Sequence, residues 1–408
     1  MKRKMLAMLV AFQAACAGSS NQDSPATPVS PPVGPQWLNA TAISVGGDNA
    51  CAISPTAGAL CWGAPAYGKL GVGLIAMWPL RPTRIAGNVP FIAVTTGYVH
   101  SCALTAAGRA YCWGDNTYQK LGDTAVVTRE NITRWQPIAV NSDTAFKSLT
   151  LGQNHTCGLT SRGVALCWGE MRDGKLGIGS VNLSLVRPTV VSGSLSFSAL
   201  AAGARHTCGI TIAGDLFCWG QSRPEVIPYP DENRFSPVRV ANAPKLIALT
   251  AGSYHTCGLT ADGIAYCWGW NDYGQLGDGV SYPSDPRLRL TNTERISPTI
   301  VSGNIRFGTI SASSQNTCGI SLQGQAYCWG WNIAGQIGDG TKETRFAPTA
   351  VSTSITFRSI GAGSTQSCGI ATDNSVYCWG WGDRGQLGDG TTTSSVTPQK
   401  VLAPEAVP

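Results

Sequence analysis

Seven pairs of cysteines, each pair ten residues apart, constrain this chain more than any other feature. Cys51 precedes Cys61, Cys102 precedes Cys112, Cys157 precedes Cys167, and Cys208 precedes Cys218. Cys257 and Cys267, Cys318 and Cys328, and Cys368 and Cys378 complete the series, and each second cysteine is followed by Trp-Gly. Successive first cysteines lie 51, 55, 51, 49, 61 and 50 residues apart. A period held over seven units marks a repeat architecture, in which each unit buries its apolar surface against its neighbours.

The spacing inside each pair reads as a hairpin. Between the cysteines stands Gly58, Gly108, Gly163, Gly214, Gly263, Gly324 or Asn374. These residue types tolerate φ > 0, which a three-residue loop closing a type I turn requires. With Ala261-Asp262-Gly263 as the loop, Thr260 faces Ile264, Gly258 faces Tyr266, and Cys257 faces Cys267. A narrow, non-hydrogen-bonded antiparallel pair holds its Cα atoms roughly 4.5 Å apart, within disulfide range. Each pair is therefore expected to form a disulfide pinning one hairpin. Zinc would want more closely spaced cysteines and four converging ligands. Fourteen reduced, buried thiols is the remaining alternative.

The fifteenth cysteine, Cys16, ends "MKRKMLAMLVAFQAAC". Lys2, Arg3 and Lys4 form a basic start, Met5 to Phe12 an apolar stretch too short for a stable span, and Ala14 and Ala15 precede the cysteine. Residues 1–16 read as a secretory signal whose end resembles a bacterial lipobox, with Cys16 the lipidated residue. Gln13 stands where an aliphatic residue is usual, and a plain signal cleaved near Ala17 is the alternative. Either reading exports the chain to the cell envelope or beyond it, and an oxidising compartment agrees with seven disulfides. Residues 17–36 are rich in Pro and Ser and read as a solvated tether. Residues 37–408 carry the repeats. Only 13% of residues are charged and the net charge is +6. Removing Lys2, Arg3 and Lys4 leaves 6 − 3 = +3. No basic tract provides an electrostatic footprint for nucleic acid.

Aligning the units on the first cysteine exposes further fixed positions. Eleven residues before it stands Phe91, Phe146, Phe197, Leu246, Phe307 or Phe357; five before it stands a glycine, or Ser313 in the sixth unit. An aliphatic residue lies between, giving one short strand. A fourth element carries Pro with an aliphatic residue three later, from Pro82 with Ile85 to Pro398 with Val401, and proline suits an edge strand. Four short antiparallel strands in each of seven units predict an all-β, seven-bladed β-propeller. No Pro strand precedes the first unit and one follows the seventh. If a blade mixes the Pro strand with the three strands after it, the C-terminal strand completes the first blade and closes the ring. The seven Cys-Trp-Gly tryptophans are then inter-blade core.

"GSYHTCGLTADGIAYCWGWNDYGQLGDG", from Gly252 to Gly279, resembles the repeat of the regulator of chromosome condensation family. The resemblance covers about residues 37 to 408. It implies a seven-bladed propeller, and it covers members as different as a nuclear exchange factor, a plant ultraviolet-B photoreceptor and a secreted inhibitor of β-lactamase. The fold alone does not choose among them. The photoreceptor's Gly-Trp-Arg-His-Thr stretches are here "GARHT" at Gly203 and "GSYHT" at Gly252, without that tryptophan. A secreted, protein-binding propeller is the nearest match in context.

Candidate sites follow from the departures. His100, His155, His206 and His255 share one repeat position, two before the first cysteine. They could ring the axis and hold a ligand; the simpler expectation is a structural hydrogen bond inside each blade. "GQLGDG" at Gly274 and Gly385 and "GQIGDG" at Gly335 supply too few carboxylates for calcium and read as turns. No cofactor or metal is expected. Repeats five to seven read Cys-Trp-Gly-Trp, so Trp270, Trp331 and Trp381 form a second aromatic set suited to a binding rim, or to packing on the following turn. Variable stretches carry Trp78, Trp135, Arg287, Arg289 and Arg295, and a shared face would give these residues a partner-binding surface. No catalytic constellation stands out. The reading is an exported, non-enzymatic, monomeric module that binds another protein and meets the membrane only through a lipid anchor. A glycan-binding or carbohydrate-active propeller and a passive envelope component are the alternatives, and carboxylates clustered in the central funnel would favour the enzyme.

Overall fold

Each cysteine pair closes a hairpin in the expected register. In the fifth repeat Cys257 faces Cys267, Gly258 faces Tyr266 and Leu259 faces Ala265. Gly263 closes the loop with φ +81, the left-handed conformation its place required. All seven expected disulfides are formed. Cys51 is bonded to Cys61, Cys102 to Cys112, Cys157 to Cys167, and Cys208 to Cys218. Cys257 is bonded to Cys267, Cys318 to Cys328, and Cys368 to Cys378. Their Cα–Cα distances are 4.0 to 4.1 Å, somewhat closer than the roughly 4.5 Å of an unbonded narrow pair. The protein is described here by a computed structural model covering residues 36–74, 78–125, 128, 132–180, 184–221, 234–281 and 293–405. The signal, Cys16 and all of the tether but Gln36 lie outside the described residues.

The described residues form seven four-stranded antiparallel sheets, each built from four strands consecutive in the chain. The fifth blade runs Ala248–Ala251, His255–Leu259, Ala265–Gly269 and Arg295–Ile300. The first strands line a central channel, and the Pro strands lie outermost. Against the outer strand the ladder slips between Cys267 and Gly269, leaving Trp268 in a bulge opposite Pro298. A residue without an N–H suits that gap.

Blades pack through seven repeating clusters. Between blades one and two, Cys51, Cys61, Leu70 and Ile85 meet Phe91, Val94 and Trp113. Each disulfide thus sits in an inter-blade core, and all seven Cys-Trp-Gly tryptophans are fully buried.

The closure differs from the sequence expectation. The strand around Pro398, Ser395–Lys400, is the outer strand of the seventh blade and does not complete the first. Each Pro strand covers the edge of the third strand preceding it, which would otherwise keep an unpaired ladder. The first and last described segments still meet at the seam. Leu38 donates its N–H to Val401 O at 3.0 Å, and Ala403 donates to Gln36 O at 2.8 Å. The position held by Phe or Leu in later blades is Ala40 here, and Leu38 helps fill the cluster with Cys368, Cys378 and Trp62.

Candidate functional site

Strand alternation brings the first-to-second and third-to-fourth connections of every blade to one face. The Gly-Gln-Leu-Gly stretch and its Lys variants occupy the third-to-fourth connection. Its leucine enters the inter-blade core, as Leu276 does beside Trp329. Gly277 has φ +67, and a Cβ there would lie 2.7 Å from Trp329 Nε1. The carbonyl before the leucine holds the next blade. Gln275 O accepts from Trp329 Nε1 at 3.0 Å and from Thr317 Oγ1 at 2.9 Å. Lys69 O accepts from Trp113 Nε1 and Ser101 Oγ, both at 2.9 Å.

Two residue sets alternate on this framework. In blades two and three the third residue after the second cysteine is acidic and the turn residue is a buried lysine. Lys120 pairs with Asp115, and Lys175 Nζ lies 2.6 Å from Glu170 Oε2. In blade one, Lys69 pairs instead with Asp48. Burial, with a smaller contribution from the Arg384 charge, lowers the Lys69 pKa to about 8. In blades five to seven the acid is replaced by Trp270, Trp331 or Trp381 and the lysine by Gln275, Gln336 or Gln386. The glutamine needs no counter-charge. Gln336 Oε1 accepts from Ala334 N–H at 3.0 Å, within its own turn. Sequence reasoning missed this coupling, although Gly-Lys-Leu-Gly against Gly-Gln-Leu-Gly was its visible signal.

The tryptophans that stand in place of the acid lie on neighbouring blades, Trp270 and Trp331 half-buried. Tyr254 and Trp270 meet edge to face at 5.9 Å, Trp270 and Tyr273 at 5.5 Å, and Tyr273 reaches Trp331 at 6.3 Å. Trp381 holds the equivalent place in blade seven and is 39% exposed. The other anticipated residues take different places. Trp78 is half-exposed with the Arg384 guanidinium 5.5 Å over its ring, and it lines a cleft of about 610 Å³ with Arg81, Arg84 and Glu405. Trp135 is half-buried in the outer strand of blade two, where its carbonyl accepts from Gly73 N–H of blade one at 2.9 Å. Arg295 is ion-paired with Asp278 at 2.6 Å, as Arg345 is with Asp339, so each opens its outer strand with its charge tied to the preceding turn. Arg287 and Arg289 lie outside the described residues.

The Gly-Asp-Gly aspartates cap their own loops: Asp278 Oδ1 accepts from Val280 N–H at 3.1 Å and Asp339 Oδ1 from Thr341 N–H at 3.0 Å. The histidines bond between blades rather than inside them. His100 Nε2 lies 3.0 Å from Thr156 Oγ1, and His155 Nε2 lies 2.8 Å from Thr207 Oγ1. The same contact joins His206 to Thr256 at 2.8 Å and His255 to Thr317 at 2.9 Å. Burial lowers all four: His206 to about 4, His255 to about 3, and His100 and His155 well below the usual range.

The central channel, about 210 Å³, is lined by Thr, Ser, Ala, Gly and aliphatic residues of the seven first strands. Its hydroxyls serve the neighbouring blade: Thr150 Oγ1 accepts from Ala202 N–H at 3.0 Å and Thr250 Oγ1 from Ala312 N–H at 2.9 Å. Tyr98 spans its mouth, with Oη 2.5 Å from Ser253 Oγ of blade five. No carboxylate is among the lining residues.

This geometry is that of a repeat propeller with a patterned loop face. Two models of the regulator of chromosome condensation (RCC1) repeat match, one over residues 91–119, 146–175, 197–223, 247–275, 309–336 and 357–386, the other over 107–159, 262–320, 323–370 and 373–408. Together they span more than half of the chain, which belongs to the RCC1 repeat family. Among curated relatives, the ultraviolet-B receptor UVR8 of Arabidopsis thaliana is 28% identical over 305 residues, 73% of this chain and 66% of the receptor. The probable E3 ubiquitin-protein ligase HERC4 of Rattus norvegicus is 29% identical over 185 residues, 44% of this chain but only 17% of the ligase. The chain thus spans less than two thirds of the relatives it matches. Among solved structures, Prp20p of Saccharomyces cerevisiae superposes with a TM-score of 0.72 at 21% identity, covering 90% of this chain and 87% of that one.

Proposed function

We propose that the protein is an exported, non-enzymatic binding module that recognises another protein through the loop face of blades five to seven. The observation that carries this reading is the aromatic arc from Tyr254 through Trp270 and Tyr273 to Trp331, continued in position by the exposed Trp381. Rigid aromatic rings are the side chains from which binding hot spots are most often built. A fold that needed them only as filler would keep them buried, as it does the seven Cys-Trp-Gly tryptophans. The carboxylate-free channel lining counts against the carbohydrate-active alternative. Prp20p is described with binding properties to Gsp1p and histones, which supports a partner-binding role for the fold. Export rests on the basic-apolar start and on the seven disulfides, and lipidation on Cys16. The curated relatives matched are eukaryotic, and the bacterial lipoprotein reading rests on that N-terminal stretch alone.

The test is capture of partners from envelope and supernatant fractions of the source on the immobilised, oxidised protein. A stoichiometric protein lost on Trp381→Ala or Trp331→Ala, with the melting temperature unchanged, supports the reading. Retention of glycans alone, or of nothing by a folded protein, overturns it.

A further inference from the structure

The junction of blades two and three holds a buried amine, an amide and two carboxylates that the binding reading does not use. Lys120 Nζ is fully buried, pairs with Asp115, and donates to Asn154 Oδ1 of the next blade at 3.0 Å. Asn154 Nδ2 in turn donates to Glu170 Oε2 at 3.2 Å, and Glu170 is held by Lys175. The backbone fixes every member. Thr156 Oγ1 donates to Lys120 O at 2.8 Å, Glu170 N–H to Asn154 O at 2.9 Å, and Asp115 N–H to Val99 O at 2.9 Å.

We propose that Lys120 and Asn154 join in an intramolecular isopeptide bond that welds blade two to blade three. Asp115 accepts a proton from the Lys120 ammonium, leaving a free amine. Lys120 Nζ attacks Asn154 Cγ, and a C–N bond forms. The attacking nitrogen sheds a further proton as the Cγ–Nδ2 bond breaks. Nδ2 takes up one proton and departs as ammonia, its hydrogen bond to Glu170 having fixed its orientation. The lysine amine and the asparagine amide become one secondary amide and one ammonia, with no oxidant or other co-reactant.

Three features favour the step. Lysine amines become nucleophilic when desolvated, and burial is the largest influence on Lys120, lowering its pKa against the opposing pull of Asp115. Reacting groups held in contact by a rigid frame gain a large entropic advantage. The amine is fully buried and the amide half-buried, which limits the water that can compete for the amide carbon. The neighbouring junctions serve as internal controls. Lys69 and Lys175 are buried in the equivalent turns, but the position of Asn154 is Val99 in blade two and Arg205 in blade four. Of these three junctions, this one combines lysine, amide and carboxylates.

The experiment is the intact mass of the purified, oxidised full chain, followed by peptide mapping. The expected mass is one ammonia below that calculated with seven disulfides, with a branched peptide containing both Lys120 and Asn154. Lys120→Arg and Asn154→Ala each restore the ammonia, and Asp115→Asn leaves a mixture of joined and unjoined chains. An unchanged mass overturns the proposal. So does an ammonia loss that persists in Lys120→Arg, which would place it in a cyclised asparagine or glutamine. Mapping the unsubstituted protein decides the matter even if a variant fails to fold, since separate recovery of the Lys120 and Asn154 peptides refutes the bond.

Discussion

His155 Nε2 lies 2.8 Å from Thr207 Oγ1, and that hydroxyl donates at 2.8 Å to Lys175 O in the turn of His155's own blade. With its one proton given to the carbonyl, the threonine accepts from the histidine, which sets the Nε2–H tautomer. One blade thus clasps its neighbour twice through a single hydroxyl. Three further histidines bond the next blade's threonine, and for His100 and His255 that hydroxyl likewise donates to the turn carbonyl, Lys120 O or Gln275 O.

The clasp makes stability depend on acid. These histidines are neutral in the fold, and the unfolded chain takes up their protons near pH 6.5. Stability is full above that pH and falls as pH drops through 6.5 toward about 4 for His206 and about 3 for His255. His206 alone accounts for a loss on the order of 3 kcal/mol across its window. Carboxylates with lowered pKa values act only below about pH 4. A denaturation series from pH 7.5 to 4.5 should therefore stay level to about pH 6.5 and decline below it, less steeply in His206→Gln. A flat profile would contradict buried neutral histidines.

The clasp also dictates a glycine. A Cβ on Gly252 would overlap the His255 ring, and where Ser313 takes that position in blade six the histidine is Asn316. Gly252→Ala should destabilise by about 1–3 kcal/mol through overpacking. His255→Asn in the same chain should recover part of that loss, a coupling visible in a double-mutant cycle of urea melts. Strict additivity would show that the ring does not set the constraint.

Lys175 and Glu170 are buried together, with side chains 2% and 7% exposed. Lys175→Gln strands a buried carboxylate and should cost about 3–5 kcal/mol. Adding Glu170→Trp recreates the Trp-and-Gln combination of blades five to seven and should restore most of the loss. Equal instability of the single and double variants would refute the interchange of the two sets.

Two tryptophans two residues apart should behave oppositely. Trp379→Ala empties an inter-blade core and should cost about 3–5 kcal/mol. Trp381, 39% exposed, should leave the melting temperature within a degree or two when changed to Ala while weakening partner capture. Loss of stability in both would make Trp381 a packing residue.

Much of the fold was legible because it rests on local chemistry repeated seven times. Cysteine spacing and a turn glycine fix which residues oppose each other across a hairpin, and the fixed Phe, Trp-Gly and Pro-x-x-aliphatic positions mark four strands. Those rules act within a dozen residues, where chain geometry leaves little freedom. Which blade takes the strand around Pro398 was not legible, because either neighbour would satisfy its hydrogen bonds locally. That choice fell to the packing around the seam, where Leu38 meets Val401. The destination of the histidine bonds was hidden for the same reason: the partner threonine is 50 to 62 residues away and adjacent only once the ring is closed. Arg295 and Trp270 looked alike as candidates in the sequence. Tertiary structure separated them, because Arg295 is neutralised by Asp278 of the preceding turn, whereas Trp270, placed where other blades hold an acid, has no buried lysine beside it and meets Tyr254 and Tyr273 edge to face.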